Sequence, residues 1–290
     1  MFIPFKRIFS GLLLFFIFVP GFASAHQPRI VEDHHIEVPN PEISKAYYGQ
    51  LTGTPDIYTI HTSTPFNLYV NILTPDIAGQ KQDVSATITK NGEPLAILDG
   101  PPFIWEKMFE PFGYDTYWKG PEYKARVEAG IYDITVTSRN NNSKYSLAIG
   151  EAENFDFQEI MNALTLVPQL KSNFFNESPI NFILSPFGWG IILILYLLAG
   201  IFGLLSRFVL QRFTKNSARG ISKNIGTKDR VIRLIIGVIL LLWAITTTWS
   251  LVLIFLSGFA FFEAMFSWCG FYAALGKNSC SCAEAHNSGA

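Results

Sequence analysis

The sequence is poor in cysteine and in charged residues. Only three of its 290 residues are cysteines, and they all lie near the C-terminal end, at Cys269, Cys280 and Cys282. The long segment before them therefore gains no stability from disulfides. Charged residues make up 16% of the chain and hydrophobic residues 49%, which is too apolar for an ordinary soluble domain of this length.

Several sequence motifs of enzyme chemistry are also missing. The chain contains no glycine-rich phosphate loop, no nucleophile elbow, no His-Glu-x-x-His zinc motif and no evident pair of catalytic carboxylates. These absences favour a binding or structural module over an enzyme. The sequence names no cofactor.

The charges that are present are unevenly distributed. Residues 26–180 contain 20 acidic and 11 basic residues, whereas residues 207–233 contain eight basic residues and one acid. An acidic half of this kind argues against nucleic acid as a partner. The basic segment is instead typical of a short loop that stays in the cytoplasm between membrane helices.

Apolar segments predict export and membrane insertion. Residues 1–25 combine two early basic residues, an apolar run and a terminal Ala-Ser-Ala, which predicts a signal peptide that is cleaved after Ala25. Residues 186–207 form an apolar segment long enough to cross a hydrocarbon core of about 30 Å. Residues 231–267 contain two further apolar stretches joined by a short turn, which predicts a transmembrane hairpin.

The positive-inside rule orients these segments. A basic loop at residues 208–230 places the domain at residues 26–152 in the periplasm and the tail at residues 268–290 in the cytoplasm. We therefore expect a multi-pass protein of the bacterial inner membrane, with the lipid bilayer as its first partner.

The exported part has the pattern of a β-sandwich. Between about Glu37 and Gly150, apolar and polar residues alternate in short runs such as "NLYVNILT", and Asn91-Gly92 and Ala129-Gly130 are suited to hairpin turns. We predict seven to nine antiparallel strands. The fold class is thus an all-β periplasmic sandwich followed by three transmembrane helices, with an amphipathic elbow at residues 153–185 that is helical up to Pro168.

A long connection rich in aromatic residues interrupts the strands. It spans residues 101–123, and we predict that its rings either cap one end of the sandwich or bind a sugar, a peptide or a partner protein. The candidate contact residues are Trp105, Phe109, Tyr114, Tyr117 and Trp118.

Histidine and cysteine provide two possible metal sites. Cleavage after Ala25 would free the α-amine of His26, which together with its imidazole and a ring from His34, His35 or His61 could chelate Cu(II). The cytoplasmic thiols of Cys269, Cys280 and Cys282 could bind a soft metal or take part in sulfur or disulfide chemistry, although their spacing is not that of a zinc finger.

Glu263 is an acid inside an apolar stretch. Such residues are functional candidates, as part of a proton or ion path. Glu263 also lies at a depth similar to that of Arg233 on the neighbouring helix, so a salt bridge or a carboxylate that snorkels to the membrane surface is the alternative. We further expect Asp229 and Arg233, which are four positions apart, to form an ion pair.

The C-terminal segment at about residues 223–280 resembles the transmembrane domain of the YgaP-like inner-membrane rhodaneses. The resemblance lies in "NIGTKDRVIRLIIG" and "CGFYAALGKNSC", where Gly270 stands in place of the usual proline. It implies a membrane hairpin that pairs with another helix or with a second copy. The rhodanese domain is absent, so sulfur transfer is not implied. The matched residues are Asn224, Gly226, Asp229, Arg230, Arg233, Gly237, Cys269, Tyr272, Gly276 and Cys280.

A looser resemblance concerns the sandwich. The stretch "EAGIYDITVTS" followed by "NNNSKYSLAIG" is similar to the closing strands of bacterial pre-peptidase C-terminal domains. This supports the fold and implies no ligand.

Together these features favour a membrane-anchored periplasmic binding, sensing or accessory protein whose ligand or partner is unknown. The alternative is a thiol- or metal-handling protein that acts through the cytoplasmic cysteines. Copper binding at His26 is a minor alternative.

Overall fold

The computed structural model describes residues 26–213 and 223–279. The predicted signal peptide at residues 1–25 lies outside these ranges. Eleven strands come first in the chain: β1 Gln27–Ile30, β2 His35–Glu37, β3 Lys45–Gln50, β4 Asp56–Thr62, β5 Phe66–Pro75, β6 Ser85–Lys90, β7 Glu93–Leu98, β8 Glu106–Glu110, β9 Asp115–Val127, β10 Gly130–Thr137 and β11 Lys144–Ile149. Helices follow: α1 Phe157–Asn173, a 3-10 helix Pro179–Leu184, α2 Pro186–Phe213, α3 Thr227–Thr246, α4 Leu251–Phe266 and α5 Gly270–Ala274.

The strands form two mixed sheets that face each other across an apolar core. One sheet has the order β1-β3-β11-β5-β9-β8 and the other the order β2-β4-β10-β6-β7. Because successive side chains of a strand point to opposite faces, every second residue enters the core. In β10, for example, Tyr132, Ile134 and Val136 are completely buried. The predicted sandwich is therefore confirmed.

The expectation of antiparallel strands only is wrong at the N-terminal edge. Strand β1 pairs in parallel with β3, and β2 pairs in parallel with β4. These strands are too short to show a period-two pattern, so the sequence did not reveal them. Their contacts are long-range: the Gln27 backbone N–H donates to the Ser44 carbonyl at 2.9 Å, and Arg29 binds Glu159 of α1 at 2.7 Å.

The predicted long connection is also largely strand. Residues 106–110 and 115–127 form the β8–β9 hairpin, and its tip is formed by residues 111–114. The predicted turn at Asn91-Gly92 joins β6 to β7, and both residues have the positive φ (49° and 85°) that this dipeptide tolerates.

Helix α1 covers part of the outer face of the larger sheet. The Asp156 carboxylate caps its first turn by accepting the Glu159 N–H at 2.9 Å. Near its C-terminal end, Leu170, Phe174 and Phe175 are buried against the sheet. The helix continues through Pro168, contrary to the expected break, because the packing of these three residues outweighs the missing backbone hydrogen bond.

The C-terminal helices form a compact group. Helix α4 packs against both α2 and α3, and α3 and α4 form an antiparallel hairpin. Among the described residues, one helix segment, Pro186–Leu210, is long and apolar enough to cross a membrane. The helix itself runs to Phe213, past the end predicted at residue 207.

A buried acid anchors the sandwich core. The Asp56 side chain is almost fully buried and accepts hydrogen bonds from the Tyr145 hydroxyl and from His34 Nδ1, each at 2.5 Å. Tyr145 also contacts the Tyr58 hydroxyl at 2.7 Å. This chain of polar groups satisfies a carboxylate that would otherwise be costly to bury.

We predict that Tyr145→Phe destabilises the sandwich by about 1–3 kcal/mol, since it removes a donor from buried Asp56. Thermal unfolding of the full chain in detergent, followed by the β-sheet circular dichroism signal, measures the effect. Tyr69→Phe is the matched control, because the Tyr69 hydroxyl bonds to exposed Glu122 at 3.2 Å and its loss should have little effect. Equal changes for the two variants would contradict the role of the buried network.

Candidate functional site

The junction between the sandwich and the C-terminal helices is the strongest candidate site. We define it as the tip of the β8–β9 hairpin together with the parts of α1, the 3-10 helix and α2 that contact it. The Phe112 ring lies 4.2 Å from the Phe187 ring of α2, and the Ser185 hydroxyl donates to the Phe112 carbonyl at 2.7 Å. The sandwich is thus docked directly on the start of the membrane helix.

The turn between α3 and α4 completes this contact. Trp249 is buried, stacks edge-on against Phe182 at 4.9 Å and donates its indole N–H to the Pro179 carbonyl at 2.7 Å. Phe112 belongs to the same apolar cluster. The hairpin tip therefore shares one core with the ends of all three long C-terminal helices.

A buried ion pair joins α1 to the hairpin. Lys171 Nζ lies 2.6 Å from Asp115 Oδ1 and donates to the Tyr114 carbonyl at 3.1 Å. The two charged side chains are 0% and 5% exposed, and Glu177 lies 3.9 Å from the same ammonium at the rim. Charges are rarely buried to this extent unless they are paired, so the pair fixes where α1 can lie.

A second acid sits beside this pair. The two oxygens of Glu110 accept the backbone N–H groups of Phe112 and Gly113 at 2.6 and 2.7 Å, which shapes the hairpin tip. Burial raises the pKa of Glu110, although these hydrogen bonds oppose the rise. Burial also raises the pKa of Asp115 to about 7, because loss of hydration outweighs the attraction of Lys171.

A small cavity opens next to these groups. Its volume is about 40 Å³, and among the residues that line it are Glu110, Asp115, His26, Tyr48 and Tyr117. The Tyr48 and Tyr117 hydroxyls are 3.2 Å apart. Burial lowers the pKa of the His26 imidazole. The junction therefore gathers several ionisable groups in one poorly hydrated place.

Sequence reasoning missed Glu110, Asp115 and Lys171. A signal was available, since Lys171 follows buried Val167 by four positions and precedes buried Phe174 by three, which puts it on the apolar face of a helix. A lysine on such a face requires a buried partner. The sequence does not say which acid that partner is.

The predicted aromatic contact residues have different surroundings. Trp105 packs against the sandwich core and donates to the Gly100 carbonyl at 2.8 Å, and Tyr117 is buried. Trp118 donates to Asp76 at 2.9 Å. Phe109 and Tyr114 stack edge-on at 5.0 Å and remain 53% and 43% exposed. These last two are the rings available to a partner.

The histidines predicted to bind copper have separate partners. His26 Nδ1 contacts the Ser44 hydroxyl at 2.5 Å, His34 contacts Asp56, and His61 lies 3.8 Å from Glu37. His35 is exposed on β2. Within residues 26–213 and 223–279, no three His, Cys, Asp or Glu side chains form a group that could hold a metal ion. The copper site stays a prediction.

The predicted thiol site is only partly described. The Cys269 side chain is buried, while Cys280 and Cys282 lie outside the described residues. The Asn224 side chain accepts the Cys269 N–H at 2.7 Å and donates to its carbonyl at 2.8 Å. Cys269 thus lies in a packed turn, and the thiol chemistry stays a prediction.

The acid inside the hairpin lies beside a base. Arg233 Nε donates to Glu263 Oε2 at 2.9 Å, and the Arg233 guanidinium lies 5.2 Å from the Tyr272 ring centre. The expected side-chain pair with Asp229 is wrong: Arg233 contacts Asp229 at its backbone carbonyl, and the Asp229 carboxylate accepts from the Ser279 hydroxyl. Arg233 pairs with Glu263 because a buried acid gains more from a cation than a partly exposed one such as Asp229 does.

The other motif residues hold the hairpin together. Arg230 Nε donates to the Ala264 carbonyl at 2.8 Å, and the Gly237 carbonyl accepts from the Ser257 hydroxyl at 2.8 Å. The Gly226 N–H donates to the Ser279 hydroxyl at 3.1 Å, and Gly276 has a positive φ of 65°. The motif therefore has a structural role between α3, α4 and the segment after them.

The fold and the junction together define a β-sandwich protein anchored in a membrane. Residues 221–282 match the family described as inner membrane protein YgaP-like, transmembrane domain. This confirms the predicted resemblance and supports an inner-membrane protein. No curated protein matches the chain.

Solved structures resemble the sandwich only weakly. The pre-peptidase C-terminal domain of a collagenase from Bacillus anthracis is 11% identical, with 43% of this chain and 95% of that chain covered and a TM-score of 0.24. CorA, a surface-associated copper-binding protein of Methylomicrobium album BG8, is 8% identical, with 43% and 100% covered and a TM-score of 0.23. A family 35 carbohydrate-binding module from an environmental isolate is 13% identical, with 37% and 75% covered and a TM-score of 0.23.

We predict that Lys171→Ala destabilises the protein by about 3–5 kcal/mol at pH 8, where Asp115 is ionised, because it leaves this buried carboxylate beside Glu110 without a cation. Lys124→Ala, which breaks the exposed pair with Glu151 at 2.7 Å, should cost at most about 1 kcal/mol. Chemical denaturation of the full chain in detergent measures both. A loss for Lys171→Ala no larger than that for Lys124→Ala would contradict the inferred burial.

Proposed function

We propose that this chain is a multi-pass inner-membrane protein that presents its sandwich in the periplasm as a binding, sensing or accessory module. The observation that carries the proposal is the docked junction. The hairpin tip packs its Phe112 ring on Phe187 of α2, and the Asp115–Lys171 pair ties the same hairpin to α1. A passive anchor would need only a flexible linker between the domain and the membrane.

Docking favours sensing over simple tethering. Apolar packing and a buried ion pair restrict the sandwich to one position on the helices, so a change in the hairpin must alter contacts with α2 or with the turn that contains Trp249. Ligand binding at the exposed rings of Phe109 and Tyr114 would act on this same hairpin. The ligand is an envelope component of unassigned chemistry.

The charge distribution supports the orientation. The acidic part at residues 26–180 precedes the span at Pro186–Leu210, and the basic segment at residues 207–233 begins at its last turn. The basic segment would then face the cytoplasm.

The apolar outer face of α3 suits a lipid or a second copy of the hairpin. Its residues recur at helical spacing, and each is half exposed in the single chain. They are Ile232, Ile235, Ile239 and Leu242.

We predict opposite accessibility for two engineered thiols in a background where the three native cysteines are replaced by serine. Ser63→Cys, at an exposed turn of the sandwich, should react with a membrane-impermeant maleimide in intact spheroplasts. Ser217→Cys, in the basic segment, should react only after permeabilisation. The reverse result, or labelling of both thiols in intact spheroplasts, would refute the proposed topology.

We predict that Phe112→Ala reproduces the envelope phenotype of deleting residues 26–152, because it removes the main apolar contact between hairpin and helix. Growth under a panel of envelope stresses, at matched protein levels, measures this. Phe103→Ala is the control, since Phe103 is an exposed ring outside the junction. A normal phenotype for Phe112→Ala beside a defective deletion would favour a tethered binding domain, and a normal deletion strain would refute the proposal altogether.

A further inference from the structure

We propose that Glu110, Asp115 and Lys171 form a proton-binding site that controls how firmly α1 is docked on the sandwich. The inference rests on the proposed sensing function and names its stimulus, the proton. The three charged groups lie where the β8–β9 hairpin, α1 and the C-terminal helices come together. Any change in their charge therefore acts on the docking contact itself.

The charges at this site do not balance. Two carboxylates, Glu110 and Asp115, share the single buried ammonium of Lys171, and only Asp115 contacts it directly, at 2.6 Å. Glu177 approaches the ammonium to 3.9 Å but is 43% exposed. In a poorly hydrated site the excess negative charge is unfavourable, and one proton removes it.

The cavity beside these groups gives the proton access. A cavity holds a water molecule once about 10–15 Å³ is available to it, so the volume of about 40 Å³ admits at least one. The lining includes hydroxyls of Tyr48 and Tyr117 that can bond such a water. A water there would carry protons between the carboxylates and the surface.

The direction of the effect follows from the pKa values. Asp115 has a pKa of about 7 when docked, whereas a hydrated aspartate has the ordinary value of 3.8. At any pH between these two pKa values the docked form therefore binds more protons than the undocked form. Docking is thus strongest in acid and weakens as the pH rises towards 7. The raised pKa of Glu110 acts in the same direction. The lowered pKa of His26 acts in the opposite direction below its ordinary value of 6.5.

The test uses a thiol reporter of α1 docking in the full chain, held in nanodiscs, with the three native cysteines replaced by serine. Val167 lines the cavity and is 6% exposed, so Val167→Cys is a nearly isosteric buried reporter. Ser172→Cys on the same helix is the exposed reference. The ratio of their methanethiosulfonate labelling rates reports the opening of α1 and cancels the intrinsic effect of pH on thiols.

We expect the labelling rate of Val167→Cys, relative to that of Ser172→Cys, to rise between pH 6 and pH 8. The factor by which it rises should be about ten times larger in the parent protein than in the Asp115→Asn variant. Asparagine imitates the protonated carboxyl. Comparing the pH dependence of the two proteins therefore removes the contributions that both share, including that of His26. Lys171→Met should move the rise to higher pH, because the ammonium holds down the pKa of Asp115.

Identical pH dependence in the parent and in Asp115→Asn would overturn the inference, as would an unshifted transition in Lys171→Met. Protection of the Val167→Cys thiol from labelling that does not vary with pH would refute the proton site but would leave the docked junction supported. Labelling of Val167→Cys as fast as that of Ser172→Cys at every pH would show that the junction is not docked. That last result would remove the basis of the proposed function as well.

Discussion

The contact between the β8–β9 hairpin and the helices depends on burying Lys171 against Asp115. Neither side chain is exposed by more than 5%, so each must have its partner in place before α1 can cover the sheet. Leu170, Phe174 and Phe175 supply the apolar burial in that region, but apolar packing tolerates small shifts. The Lys171–Asp115 pair does not tolerate such shifts, because a misplaced ammonium would lose its partner and would still be shielded from water. It therefore sets the position of α1 and, through the short connection after it, the start of the membrane span.

The second half of the predicted elbow packs against the hairpin tip and the helices. The 3-10 helix Pro179–Leu184 follows closely after α1 and leads directly into α2. Phe182 is fully buried against Trp249, and the Ser185 hydroxyl holds the Phe112 carbonyl. The hairpin tip, the 3-10 helix, the start of α2 and the turn between α3 and α4 thus share one apolar cluster. A displacement of the hairpin tip would therefore act on the helix ends through packed side chains.

The sequence predicted the parts of this molecule that have local patterns. The alternation of apolar and polar residues predicted the strands of the core, and Asn91-Gly92 predicted a hairpin turn. The YgaP-like motif predicted the C-terminal hairpin. The N-terminal strands could not be predicted, because β1 and β2 are only four and three residues long and pair with distant strands. The aromatic connection was misjudged because aromatic residues and prolines also occur in the strands of an edge hairpin.

The junction could not be read from the sequence for a related reason. Asp115 and Lys171 are 56 positions apart, and their pairing is decided by how a helix lies on a sheet. A pattern can show that Lys171 sits on an apolar face, yet the acid that meets it depends on the register of β8 and β9. Glu263 differs, because its partner Arg233 lies at a similar depth on the neighbouring helix of a predicted hairpin, and the expected salt bridge is confirmed at 2.9 Å. For Lys171 the local sequence shows only that a buried charge exists, and the tertiary fold determines which acid neutralises it. Functional candidates in this chain are therefore the places where a charge breaks an apolar pattern.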